Sequence, residues 1–189
     1  TVKPDDNNQV LTEADIKIGQ FIIDQIKQNF SKDNIIDEEA GVIDNDSEFT
    51  WVVDPIDGTS NFAVGLPTYG IMVGLLNKNQ PIIGGVTLPC FHEFYYAEKG
   101  KGAFCNQQQI KVTQETRLDQ TLVAYGIDAY LKNPEKTQKE YELCASICLK
   151  ARNIRTSNSV FDAMALASGK YGAMICQGSR IWDNVAQQI

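Results

Sequence analysis

The chain has 189 residues, 43% of them hydrophobic, with a formal net charge of −7 and a single histidine. That length and apolar content suffice for a sizeable buried core, and nothing in the composition marks disorder. The acidity argues against a nucleic-acid surface, which clusters Lys and Arg, and an anionic substrate would need a local cation to reverse the sign of the field. No apolar run of about 18 residues occurs and Thr1-Val2-Lys3 opens no signal peptide, so the sequence reads as a soluble cytoplasmic protein with no membrane partner. The five cysteines, at 90, 105, 144, 148 and 176, are odd in number and form no C-x-x-C pair. They read as free, mostly buried thiols of a reducing cytosol, with Cys144 and Cys148 packed in the core rather than holding a metal.

In chain order, Ile16, Ile18, Phe21, Ile22, Ile23, Ile26 and Phe30 recur at helical spacing behind Thr12, an N-cap with Asp15 as its acidic capping partner. A helix is therefore predicted over 12–30. Asn34-Ile35-Ile36 forms a short strand that delivers Asp37-Glu38-Glu39 at its end. The acidic stretch 44–48 is a solvated loop before a strand over 50–53, and the apolar runs 68–76, 82–88 and 93–97 read as an antiparallel meander with His92 in a hairpin turn. Gly100-Lys101-Gly102 lacks the G-K-[ST] and following helix of a phosphate loop and reads as a turn leading to Ile110-Lys111-Val112. A strand over 121–125, a helix over 134–151 and a short strand over 153–156 follow. Ser157 or Asn158 caps the next helix, which Gly169 stops, and a last strand spans 171–176. Ile181 to Ile189 reads as two opening turns of a helix that lacks a C-cap, so the natural polypeptide is expected to continue.

The chemistry concentrates where the strand 50–53 ends, at Asp54-Pro55-Ile56-Asp57-Gly58-Thr59. A turn at Pro55 would let two carboxylates converge that a straight strand would point apart, and a hard cation with oxygen ligands would relieve their repulsion. Gly58 permits close backbone approach, and Thr59 to Phe62 can open a helix whose amides face an anion. An ordinary Asp-rich turn is the competing reading of this string alone. Further carboxylates at rigid positions are Glu38, at the end of the preceding strand, Asp15, in the first turn of the first helix, and Asp183, behind Trp182.

Together these motifs resemble the inositol monophosphatase family of Mg2+-dependent, lithium-sensitive phosphatases. The resemblance lies in Leu11-Thr12-Glu13-Ala14-Asp15, Asp37-Glu38-Glu39, Trp51 to Phe62, the stretch Gly100 to Asn106, and Trp182-Asp183, in order along nearly the whole chain. It implies an α+β fold, a layered αβαβα sandwich forming one domain over 1–189, with its C-terminal part missing. It also implies that Glu38, Asp54 and the carbonyl of Ile56 hold one Mg2+ while Asp54, Asp57 and Asp183 hold a second. Thr59 and Asp15 would activate the attacking water, and the amides of Gly58 and Thr59 would receive the phosphate. Just before the W-D pair, where family members place a sugar-binding Glu, stands Ile175-Cys176-Gln177-Gly178, so Gln177 is the candidate polyol contact beside Asp183. The implied substrate is a small phosphorylated polyol or sugar, the implied assembly a homodimer. Alternatives are a fructose-1,6-bisphosphatase, a 3'(2'),5'-bisphosphate nucleotidase, or a non-catalytic relative that binds a partner.

Overall fold

Apolar and β-branched runs between residues 34 and 110 pair into one eight-stranded sheet in the computed structural model, which describes residues 10–189. The reading of Thr1-Val2-Lys3 lies outside the described residues. The strands are β1 (Asn34–Asp37), β2 (Gly41–Ile43), β3 (Phe49–Asp57), β4 (Gly70–Asn77), β5 (Gln80–Leu88), β6 (Glu93–Glu98), β7 (Gly102–Cys105) and β8 (Gln108–Ile110). Their order is β2-β1-β3-β4-β5-β6-β7-β8, antiparallel except where β1 runs parallel to β3. The meander appears as expected, with His92 at positive φ in the β5–β6 connection. The three-residue β2 escaped the sequence reading because Gly41-Val42-Ile43 is too short for alternation to register.

Helix α1 (Glu13–Asn29) covers one face of the sheet, its Ile23 and Ile26 packing on Ile35 and Val53. Its buried stripe is Asp15, Gly19, Ile23 and Ile26, narrower than the apolar pattern suggested, for Ile16 and Phe21 face outward. On the opposite face, Met72, Val86, Leu88 and Tyr95 meet Val160, Ala163 and Met164 of α4 (Val160–Ala167) and Ala186 of a 3-10 turn, Val185–Gln187. Gly84 is what lets that turn sit so close, since a Cβ there would run into the carbonyl of Ala186.

A second, parallel sheet of order β10-β9-β11 lies beyond α4, with β9 (Leu122–Gly126) between β10 (Asn153–Arg155) and β11 (Ala173–Cys176). Strand alternation sends Met174 to the α4 core and Tyr125 the other way, where its hydroxyl donates to the carbonyl of Glu140 in α3 (Pro134–Cys148) at 3.0 Å. The layers thus run α1, sheet, α4, sheet, α3, the αβαβα sandwich expected.

Three expectations are corrected. First, β3 does not end at Val53 but runs to Asp57, with a register shift between Asp54, opposite Met72, and Asp57, opposite Gly70. Pro55 is tolerated because β1 pairs only as far as Val53, so its missing N–H falls beyond that ladder. Second, the stretch from Ile181 forms turns and the 3-10 segment instead of an α-helix. Side-chain amides of Asn184 and Gln187 take the carbonyls of Arg180 and Asp183, acceptors that helical backbone bonds would use. Third, the cysteines are free but not mostly buried: Cys90, Cys148 and Cys176 are exposed and Cys105 and Cys144 half-buried, and Cys144 and Cys148 miss the core because α3 buries little besides Glu140. Among the described residues no helix is long and apolar enough to cross a membrane.

Candidate metal and phosphate site

The bulge in β3 decides the geometry of the site. Between the Asp54 and Asp57 pairings, Pro55 and Ile56 of β3 lie opposite the single Ile71 of β4, and this extra residue brings both carboxylates to one side despite their odd spacing. Asp183, in the turn before the 3-10 segment, completes the group: one carboxylate oxygen from each of Asp54, Asp57 and Asp183 lies within 4.8 Å of the others. Arg180 N donates to the Asp183 carboxylate at 2.5 Å and orients it. Glu38, carried one residue past β1, lies beside Asp54, where its charge and a proton shared between the two carboxyls raise the Asp54 pKa. Carboxylates from three separate stretches of the chain, around residues 38, 54–57 and 183, therefore come together.

Their electrostatics are unfavourable in isolation. Burial, then the charges of Asp57, Glu38 and Asp183, hold the Asp54 carboxyl well above the usual carboxylate range. Loss of hydration pushes Asp57 up to about 7, against the lowering effect of the Val160 amide, with Asp183, Glu38 and Asp162 adding repulsion. Asp54 Oδ1 is buried and has no hydrogen-bond partner among the described residues. Acceptor-only oxygens concentrated in this way fit a hard cation, and oxygen donors favour Mg2+, Mn2+ or Ca2+ over softer metals.

Beside this cluster, Gly58 stands at φ 87° and opens the short helix α2 (Thr59–Ala63). A Cβ on Gly58 would lie 2.7 Å from that of Ser159, so only glycine fits the approach of α4. Thr59 Oγ1 lies 2.7 Å from the Ile56 carbonyl and 3.1 Å from Asp15 Oδ1, two acceptors for one hydroxyl proton. Asp15 is buried and fixed: its Oδ2 accepts from Thr12 N at 2.9 Å and from Thr12 Oγ1 at 2.5 Å, the capping box read from the sequence.

Gln177 does not join. Its side-chain amide donates to the Tyr125 hydroxyl at 3.1 Å, away from the carboxylates. Alternation along β11 instead gives Cys176 the face shared with Met174, toward α4. Loss of hydration and the charges of Asp183, Asp128, Asp57 and Glu140 push its thiol up to about 11. Counting parity from a core methionine would have found this. Also missed was the amide of Val160, which donates to Asp57 Oδ1 at 2.5 Å and ties the metal-facing strand to the N-terminus of α4. A backbone donor 103 residues away leaves no trace in side-chain patterns.

The inositol monophosphatase family model matches residues 1–189. The chain belongs to that family. Among its relatives, the Nus factor SuhB of Haemophilus influenzae is 28% identical over 181 residues, covering 95% of this chain and 67% of the relative. The fructose-1,6-bisphosphatase/inositol-1-monophosphatase of Aquifex aeolicus is 30% identical over 162 residues, or 83% of this chain and 59% of the relative. The inositol monophosphatase of Anabaena superposes with a TM-score of 0.87 at 29% identity, covering 94% of this chain and 70% of that structure. The chain thus spans roughly three fifths to two thirds of the two curated relatives.

Proposed function

We propose that this protein is a cation-dependent phosphomonoesterase acting on a small phosphorylated polyol or sugar, with Mg2+ as the cation. The observation that carries the reading is the convergence of Asp54, Asp57 and Asp183, with a buried oxygen on Asp54 that has no hydrogen-bond partner among the described residues and with the charge of Glu38 beside it. Family membership supports phosphatase chemistry. In this reading Glu38, Asp54 and the Ile56 carbonyl hold one ion, and Asp54, Asp57 and Asp183 a second. A pair of such ions supplies charge neutralisation at the phosphoryl group and a more acidic water.

The remaining work falls to the protein's own groups. Asp15, locked by Thr12, is a fixed acceptor for the Thr59 hydroxyl, and Thr59 donating to it turns an oxygen lone pair toward a water. As that water attacks, its proton passes to Thr59 Oγ1 while the Thr59 proton moves to the Asp15 carboxylate. The amides of Gly58 and Thr59 receive the phosphate. Asp183 and Cys176 border the leaving group, and a thiol is a weak partner for polyol hydroxyls, which widens the substrate choice beyond inositol. The name of the Aquifex relative supports fructose 1,6-bisphosphate as one alternative. Inhibition by lithium, a cytoplasmic setting, a homodimer and action of residues 1–189 as one domain belong to the same proposal.

The test is phosphate release from inositol 1-phosphate, fructose 1,6-bisphosphate and adenosine 3',5'-bisphosphate, with Mg2+, with chelator and with Li+. Mg2+-dependent release from a polyol or sugar phosphate, abolished by chelation, is expected. No release from any of the three would overturn the proposal and favour a non-catalytic binding role.

A further inference from the structure

A buried carboxylate beside the cluster has no task in the chemistry above. Asp37, the last residue of β1, is 1% exposed. Its Oδ1 accepts from the amides of Glu39 at 2.9 Å and Ala40 at 2.7 Å, closing a turn around Glu38, while Glu38 N donates to the Val53 carbonyl at 3.2 Å. The turn that carries Glu38 off the sheet is thus held from three sides, by the Val53 carbonyl of β3, by the pairing of Asp37 with Gly41 of β2, and by Asp37 Oδ1.

The other oxygen, Oδ2, is buried and has no hydrogen-bond partner among the described residues. It lies against Gly19 of α1: a Cβ at Gly19 would stand 3.0 Å from Oδ2 and 3.1 Å from Cγ of Pro55. Gly19 is one turn beyond Asp15 on the same buried stripe, and Pro55 separates Asp54 from Ile56. The Asp37 carboxylate thus sits where three segments touch, and each of them carries a group of the proposed site.

We infer that Asp37 is a positioning residue that sets the place of Glu38 and, through it, the affinity for the ion that Glu38 holds, with Gly19 supplying the space it needs. The inference rests on the cation-dependent reading above. An unrestrained turn would let Glu38 reach the same ion only after ordering its backbone, a cost charged to ion binding alone. Substrate binding at saturating Mg2+ has no reason to change.

The test follows Mn2+ binding by electron paramagnetic resonance and the Mg2+ midpoint of the thermal shift, alongside KM for substrate. Asp37→Ala is expected to raise the Mg2+ midpoint about tenfold, as loss of an outer partner of a metal ligand does, with KM at saturating Mg2+ within about twofold. Asp37→Asn keeps the Oδ1 acceptor and is expected to restore most of the affinity. Should Asp37→Ala not fold, Gly19→Ala presses on Oδ2 from the helix side and is expected to move the midpoint the same way by about threefold. A lower melting temperature with an unchanged Mg2+ midpoint would make Asp37 merely structural and overturn the inference. A wild-type protein with no saturable response to Mg2+ or Mn2+ would instead overturn the cation-dependent reading itself.

Discussion

The residue with the sharpest consequences is Asp57. Its carboxyl is lifted from 3.8 to about 7, and Asp54 is lifted as well, so the folded protein holds protons that the unfolded chain releases. Between those values the folded state binds more protons, and stability without divalent cations therefore falls as pH rises from about 4 to 7. The melting temperature in chelator is expected to drop across that interval, and Mg2+ to abolish the drop; a flat profile in chelator would contradict it. Asp57→Asn keeps an acceptor for Val160 N while removing the charge. It is expected to raise the metal-free melting temperature at pH 8 and to lower turnover on the order of a hundredfold or more. The convergence of Asp54, Asp57 and Asp183 was legible only through the family resemblance, since the string from Asp54 to Thr59 by itself reads equally as an Asp-rich turn. The direction of Gln177 was not, since it depends on the Tyr125 hydroxyl, which only the packed second sheet brings near.

At the scale of elements, α1 does two things with one cap. Thr12 closes the helix N-terminus and also grips Asp15, so Thr12→Ala is expected to cost about 1 kcal/mol of stability and to lower kcat with KM little changed. Thr12→Ser should recover both, and a variant that loses stability at unchanged kcat would separate the cap from the catalysis. Gly58→Ala combines a positive φ with a collision at Ser159 and is expected to leave little folded enzyme, measured by thermal melting. Helix α1 was legible from periodicity and its cap, and the meander from its apolar runs; α4 was legible as a helix, but its N-cap is Ser159 and not Ser157 or Asn158, whose side chains bond elsewhere. The run of β3 past Pro55 was not, because a proline read locally signals a turn. What decides its fate is where the neighbouring β1 stops, a tertiary fact.

Across the whole molecule, the site draws on α1, the end of β1, β3, the start of α4 and the turn at Asp183, segments belonging to three successive layers. An ion held there ties those layers together, so binding should stabilise the protein globally and not just locally. The layer order followed from the family resemblance, whereas the alternating strands alone left open which helix lies between the sheets. It is α4, whose Val160, Ala163 and Met164 fill the first sheet's inner face while Met174 reaches in from the second. The most direct test is diffraction at the manganese edge from crystals soaked in Mn2+. A two-ion centre requires anomalous density among Glu38, Asp54, Asp57 and Asp183, with Asp54 shared between ions. Density absent from these carboxylates, in a protein that turns over substrate in the same Mn2+ solution, would contradict it.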